Sequence, residues 1–373
     1  MAEETSTGAR PIQAVGTSTA AIFGFTERGP KTATLVSSFA DFTEKFGGTR
    51  AEPAPALRDR WTRDLDDAGH WWQLPLSVKG FFDNGGEQAV IKRVFRDDPD
   101  NLTADDFVAA IESPNDTADA SLFLAPGMWS TKIQSALISG CAAARDRFAI
   151  LDPPPDLDIA GVREFRRRYQ TDVAALYYPW LEVEGRRVAP SGHIAGIYAR
   201  VDREYGVHKA PVNQEIRSIT KIAREVTDGE QELLNPEGIN ALRFFPGRGN
   251  LVWGARTLSP DSEWKYVNVR RFVTYLERSI DQGTQWTVFE PNGEGLWANV
   301  RRTIEDFLLN LWQTGALQGN RPEDAFFVKC DRSTMTQNDI DNGRLICLVG
   351  VAVTRPAEFV IFRIGQWTAE HQG

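Results

Sequence analysis

Few residues in this sequence combine a reactive type with a usable spacing. Ser191, Gly192 and His193 set a hydroxyl beside an imidazole, the pair a nucleophilic hydrolase requires. Neighbours in sequence do not make a triad, because base and nucleophile must face each other across ~3 Å, and the GxSxG elbow is missing. Turn formation and helix capping account for the pair instead. Asp97, Asp98 and Asp100 around Pro99 have the charge for a cation but read as a solvated acidic turn. PGRGN at 246–250 lacks the lysine and following helix of a phosphate loop. The histidines, His70, His193, His208 and His371, are scattered and form no HExxH. Cys141, Cys330 and Cys347 are odd in number, lack CxxC spacing and sit in apolar or strand-like surroundings, which reads as buried free thiols. The expectation is no catalytic residue, no cofactor and no metal.

Composition narrows the function classes further. The chain has 373 residues, enough for two domains, and a formal net charge of -9. A nucleic-acid binder usually carries a basic surplus, so that class is disfavoured. The arginine-rich run Arg163 to Arg168 carries an apolar face of Val162, Phe165 and Tyr169 and reads as a solvated helix face. The acidic excess lies before residue 245, and the near-neutral remainder is the better candidate for burial against partners. No apolar run approaches the ~18 residues of a membrane span, and the polar, acidic start does not resemble a signal peptide. Residence in a cytoplasm is the default expectation. Trp71 and Trp72, in a charged region, could mark a contact surface.

The elements that would position these residues alternate between helix and strand. Residues 1–10 contain no large apolar side chain after Met1 and read as a mobile arm. A strand is expected within Ile12 to Phe25, a helix with Phe39, Phe42 and Phe46 on one face, and a surface loop or insertion at 49–70. Helix, glycine turn and strand follow at 74–94. The same alternation continues through a helix at 103–112, a strand at 120–125, a helix at 132–145, and strands at 148–152 and 173–178. Such alternation argues for an α/β (α+β mixed) fold with a mixed or parallel sheet covered by helices. Later, Ser191 to Tyr205 is helical, and two short strands flank the turn at 246–250.

The stretch 251–317 has the clearest periodicity. Val269, Phe272, Val273, Leu276 and Ile280 form one helical stripe, with Gly283 as its stop signal. Leu296, Val300, Ile304, Phe307, Leu308 and Leu311 form a second. Between them Trp286 to Phe289 predicts a strand, on its β-favouring residues. Strands are also expected at 326–330, 345–353 and 358–366. In the last, Val360, Phe362 and Ile364 share one side, and Phe359, Ile361 and Arg363 the other.

Several blocks together resemble the tail sheath family of contractile phage tails and phage-tail-like contractile injection systems. They are TSTAAIFGFTERGP at 17–30, FFDNGG at 81–86 with AVIKRV at 89–94, ALYYPWLEV at 175–183, and PSGHIAGIYARVDREYGVHKAPVN at 190–213. VWGARTL at 252–258, VNVRRFVTYLERSI at 267–280, QWTVFEPNGEGLWANVRRTIEDFLLNLW at 285–312 and RPAEFVIFRIG at 355–365 complete the set. They cover most of the chain in the family's order, while 49–70 matches nothing in it.

The resemblance implies a structural subunit that polymerises as stacked hexameric rings around an inner tube and contracts to drive that tube into a target envelope. It implies a two-domain sheath fold: an N-terminal arm at 1–20 that joins the inner domain, an outer domain at 21–244, and an inner, tube-facing domain at 245–373. The C-terminal arm would be a strand at 358–373. Arms at both ends would pair with sheets of neighbouring subunits, through Ile12, Ala14, Phe359, Val360, Ile361, Phe362 and Ile364. Arg301, Arg302, Glu305 and Asp306 become candidates for tube contact, because the opposite face of their helix is apolar; the alternative is that Arg302 and Asp306 only pair with each other in water. The implied partners are further copies of this chain, the inner tube protein, and baseplate and terminal cap proteins, without nucleic acid or direct membrane insertion. Assembly would be cytoplasmic, and the particle cytoplasmic or released. A soluble α/β enzyme with an unrecognised acidic site, and a tube or baseplate component of the same machine, stand as alternatives.

Overall fold

The computed structural model describes residues 11–48, 72–95, 102–113, 117 and 119–358. β1 (Ala20–Gly24) is buried along its whole length, and β2 (Thr34–Val36) leads into α1 (Phe39–Phe46). Ser38 caps α1 by accepting the Asp41 N–H at 3.0 Å, which satisfies one of the donors a helix start leaves open. The expected loop at 49–70 lies outside the described residues, as does Trp71. α2 (Gln73–Asp83), the glycine turn and β3 (Ala89–Arg93) follow as the pattern predicts. Then come α3 (Ala104–Ile111), β4 (Leu122–Leu124), α4 (Thr131–Ala144), β5 (Phe148–Leu151), α5 (Ile159–Arg166) and β6 (Ala174–Tyr178). Beyond them lie β7 (Leu181–Val183), β8 (Arg186–Val188), α6 (Ser191–Tyr205), β9 (Lys221–Ile222), α7 (Asp228–Leu234), β10 (Ile239–Phe245) and β11 (Gly249–Val252).

Eight of these strands form one sheet in the order β11-β10-β6-β5-β4-β1-β3-β2. Its interior is parallel from β3 to β10, and its two edges are closed by antiparallel partners, β2 on one side and β11 on the other. Helices cover both faces, so the central strands carry continuous apolar runs such as AAIFG and FAIL. One core packs Phe42, Phe46, Leu76, Phe81, Ile194, Ile197 and Tyr198 against the sheet. The other packs Phe107, Ile133, Leu137, Val162 and Phe165 against the opposite face. The helices α2 and α6 touch backbone to backbone: a Cβ on Gly196 would sit 2.2 Å from the carbonyl oxygen of Phe81, so only glycine fits there.

A third core is built by α8 (Val267–Thr284), α9 (Glu294–Gln313), α10 (Pro322–Ala325), β12 (Phe326–Lys329), α11 (Gln337–Asp341) and β13 (Leu348–Val351). Phe272, Leu276, Val300, Ile304, Phe307 and Leu308 from the two stripes the periodicity marked fill it, together with Trp297. The expected division after 244 falls inside the β10–β11 hairpin, which belongs to the large sheet. The third core gathers residues from 272 onward, with Val207 and Ile12 added.

Three local expectations change. Trp286 to Phe289 is not a strand: Gln285–Thr287 forms a single 3₁₀ turn, and Phe289 stands fully exposed with φ of 70°. β-favouring residues make a strand only where another strand offers its hydrogen-bonding edge, and among the described residues no strand pairs with this segment. Gly283 does not stop α8, which runs on to Thr284; its missing side chain makes room for Ile12, whose Cγ1 would lie 2.6 Å from a Cβ there. The first strand is confined to 20–24, and residues 11–19 run outside any ladder.

Candidate assembly site

The geometry of the chemically suggestive residues decides whether a reaction centre exists. Asp152 follows β5 and is buried. It accepts the Ser191 N–H at 2.9 Å, the Ser191 hydroxyl at 2.6 Å and the Gly127 N–H at 3.2 Å. Burial raises its pKa to about 6, against the lowering effect of the three hydrogen bonds. Gln73 lies alongside, donating to the Arg187 carbonyl at 2.9 Å and accepting the Ala189 N–H at 3.1 Å. The carboxyl ends of parallel strands are where α/β folds usually bind ligands, and here side chains of the protein occupy that position. Ser191 donates its hydroxyl hydrogen bond to a carboxylate and starts α6; no hydrogen bond joins it to His193.

His193 lies two residues along α6 and packs against Gly80 of α2, whose Cβ would collide with the ring. Burial lowers its pKa to about 4, and neither ring nitrogen has a hydrogen-bond partner among the described residues. The Ser191–His193 pair is therefore a helix start and a helix-packing contact. His70, His371, Asp97, Asp98 and Asp100 lie outside the described residues. No group of three or more His, Cys, Asp or Glu able to hold a metal occurs among the described residues. No described helix is long and apolar enough to cross a membrane.

The chain ends give the molecule its clearest functional geometry. Thr17 donates to Asp202 at 2.6 Å, and Arg271 of α8 donates to the Thr17 carbonyl at 2.9 Å. Moving toward the start of the chain, the Val15 N–H donates to Ser279 at 3.3 Å, and Ile12 fills the notch at Gly283. The N-terminal segment thus tracks α8 from Arg271 to Gly283, about 18 Å at 1.5 Å per residue. Ala14 is exposed along this path.

Glu358, the last described residue, is held at the other end of the same helix. Its carboxylate accepts from Arg256 Nε at 2.7 Å and Nη2 at 2.5 Å, and from the Tyr266 hydroxyl at 3.0 Å, with Lys265 at 3.6 Å. Burial raises its pKa, but the Arg256, Tyr266 and Lys265 contacts outweigh that and leave it below the usual glutamate range. Tyr266 immediately precedes the 18-residue α8. Along this helix the Glu358 contact at Tyr266 and the Ile12 contact at Gly283 are therefore about 26 Å apart. Sequence periodicity pointed to neither root, since Glu358, Arg256 and Asp202 carry no pattern that pairs them. Phe359, Val360, Ile361, Phe362 and Ile364 lie outside the described residues.

Near these roots stands a two-stranded antiparallel sheet, β12 paired with β13, with register Phe326↔Val351 through Lys329↔Leu348. Among the described residues no third strand joins it, and only a bridge from Leu317 to Val353 touches its end. Phe327 and Leu348 are each about half exposed, and Val349 is exposed as well. A pair of free edges carrying exposed apolar side chains is a template for another strand.

The four charged candidates on α9 divide into two pairs. Arg301 and Glu305 form the i, i+4 ion pair at 3.9 Å and lean toward β12. Arg302 and Asp306 are exposed and form no ion pair among the described residues, so the alternative reading, in which they only pair with each other, is not seen there. Phe289, which sequence reasoning placed in a strand, is the most exposed large apolar residue among the described ones; its positive φ was not legible in the sequence.

Comparison with known proteins is consistent along the chain. Residues 99–258 match the phage tail sheath protein central domain, and residues 259–366 match the phage tail sheath C-terminal domain. A prophage major tail sheath protein of Pseudomonas aeruginosa (strain UCBPP-PA14) is 28% identical over 267 residues, covering 68% of this chain and 67% of that protein. The contracted sheath of the extracellular contractile injection system PVC superimposes with a TM-score of 0.81 at 32% identity, covering 98% of this chain and 96% of that one. The contracted helical sheath of the anti-feeding prophage gives 0.79 at 30% identity, with 98% of both chains covered. With both sheath domains matched in order and the whole fold shared, this chain belongs to the phage tail sheath family and is a structural subunit of a contractile sheath.

Proposed function

We propose that the subunit assembles as stacked hexameric rings around an inner tube, joined to its neighbours by strand exchange onto the β12–β13 sheet. The observation that supports this most is that sheet's pair of unpartnered edges, in a chain whose two ends are rooted at opposite ends of α8. Residues 359–364 alternate apolar side chains in the manner of an added strand. In this reading the inner domain comprises the third core with the N-terminal arm, and the α/β unit with the eight-stranded sheet faces outward.

The energetics suit a machine that must rearrange without dissolving. A five-residue added strand gains ~1 kcal/mol net per ladder hydrogen bond, while ordering it costs ~1–2 kcal/mol per residue. Burial of its apolar face at ~25 cal/mol per Å² tips the balance. One arm is a marginal link; many in series make a connected mesh whose rings reorient together on contraction.

Arg302 and Asp306 are the tube-facing charges in this reading, and baseplate and cap proteins close the two ends of the assembly. The role is mechanical, without a reaction of its own. Assembly takes place in the cytoplasm, and the finished particle stays there or is released. Electron microscopy of the protein co-expressed with its tube tests the reading: striated tubes are expected from the full chain and none from chains lacking 1–11 or 359–373. Intact tubes from both truncations would overturn it.

A further inference from the structure

The register of the two-stranded sheet puts Cys330 directly opposite Cys347, one step beyond the Lys329–Leu348 pair. Facing residues on antiparallel strands have Cα atoms ~4.5–5.5 Å apart, inside the ~4.4–6.8 Å that a disulfide spans. Both cysteines are free, and each thiol shifts the proton affinity of the other. Cys330 is buried and Cys347 is half-exposed. A surface cavity of about 320 Å³, lined by Trp297, Arg301, Cys330 and Arg332, opens beside the pair. The Cys347 thiol beside it, with help from the Arg301 guanidinium, holds the Cys330 thiol below the usual range against burial and, more weakly, Asp331. Cys347 is pushed up by the Cys330 thiol, by burial and by Glu305. The third cysteine, Cys141, lies fully buried in a different core, and burial pushes its thiol up.

We propose that Cys330 and Cys347 are a modification site, a dithiol that closes to a cross-strand disulfide by exchange with a low-molecular-weight disulfide such as oxidised glutathione. Cys330, which lines the cavity, attacks one sulfur of the small disulfide as thiolate and releases the first small thiol. Cys347, giving up its proton, then attacks Cys330 Sγ and expels the second. The two cysteines lose two electrons and two protons; the disulfide is reduced to two thiols, which take up both. The new bond closes the segment 331–346, including α11, and adds a covalent tie between β12 and β13 beyond their ladder. Resting on the strand-exchange reading, the bond would also fix the sheet that receives neighbouring arms.

The test uses the full folded chain, incubated with oxidised glutathione, quenched in acid, then alkylated in denaturant and digested for mass spectrometry. The expected result is loss of two of the three thiols, a peptide link between Cys330 and Cys347, and a fully alkylated Cys141. The melting temperature should rise by several degrees and fall back with dithiothreitol. Cys347→Ser and Cys330→Ser should each remove the link and the shift, while Cys141→Ser keeps both. Because Cys330 is buried, the half-exposed Cys347→Ser serves where Cys330→Ser fails to fold. Three alkylated thiols after exposure, or a link that includes Cys141, would overturn the assignment, and so would an unchanged melting temperature for its stapling role. A link that forms in a chain unable to make tubes in either redox state supports the disulfide site and counts only against the arm reading.

Discussion

The guanidinium of Arg271 lies against the carboxylate of Asp202 in a two-point contact, 3.0 Å and 2.6 Å, with both side chains almost wholly buried. The pair bridges α6 of the α/β unit and α8 of the third core, and Thr17 bonds to both partners. The Tyr198 ring packs 4.7 Å from the guanidinium carbon. One contact therefore joins the two parts of the molecule and the root of the N-terminal segment. A buried ion pair is costly to break on one side, because the remaining charge keeps its desolvation penalty without its partner.

Arg271→Ala is accordingly expected to cost about 3–5 kcal/mol of stability. Chemical denaturation of the isolated subunit measures this. A loss under about 1 kcal/mol, the range of an exposed pair, would show that the contact does not hold the two parts together.

Gly283→Val should separate arm docking from folding. The added side chain takes the space of Ile12, while the helix itself tolerates valine at least as well as glycine. The expected outcome is an unchanged or slightly raised melting temperature together with faster hydrogen exchange at the Val15 amide, which Ser279 holds. Unaltered exchange at Val15 would mean that the notch does not seat the segment.

The Glu358 root is expected to be acid-labile. Its carboxylate is held below the usual range, so the contribution of its contacts is present above the unfolded glutamate value of ~4.3 and is lost as pH falls through the depressed folded value. Limited proteolysis of the chain beyond Glu358 should accelerate on acidification. Glu358→Gln should show the faster cleavage already at neutral pH, with little further change in acid.

Charge reversal of Arg302 and Asp306 tests the tube-facing reading. Neither makes an ion pair within the described chain, so Arg302→Glu with Asp306→Lys should leave the melting temperature within about 0.5 kcal/mol equivalent and reduce co-assembly with the tube. The same reversal at Arg301 and Glu305 exchanges the members of an existing pair beside β12 and should act less on the tube. Equal tube assembly by the Arg302/Asp306 variant and the native chain would remove these residues from the contact.

Local pattern was enough for much of the architecture. Alternating helix and strand segments predicted the α/β layers, and the stripes at 269–280 and 296–311 identified the third core, because burial of one face imposes a period that any short window records. Where the reading failed, a distant partner was responsible. Trp286 to Phe289 has strand composition but no strand paired with it among the described residues, and Gly283 reads as a stop until Ile12 is seen in its notch.

By itself, then, the sequence determined the fold class and the amphipathic helices, both of which follow from side-chain period and backbone preference. Only the tertiary structure decided that Ser191 is bound to Asp152 and not to His193, that Arg271 meets Asp202, that Glu358 is anchored by Arg256, and that Cys330 faces Cys347. These pairings depend on chain path and strand register, and a contact between residues far apart in sequence leaves no period in either segment to announce it.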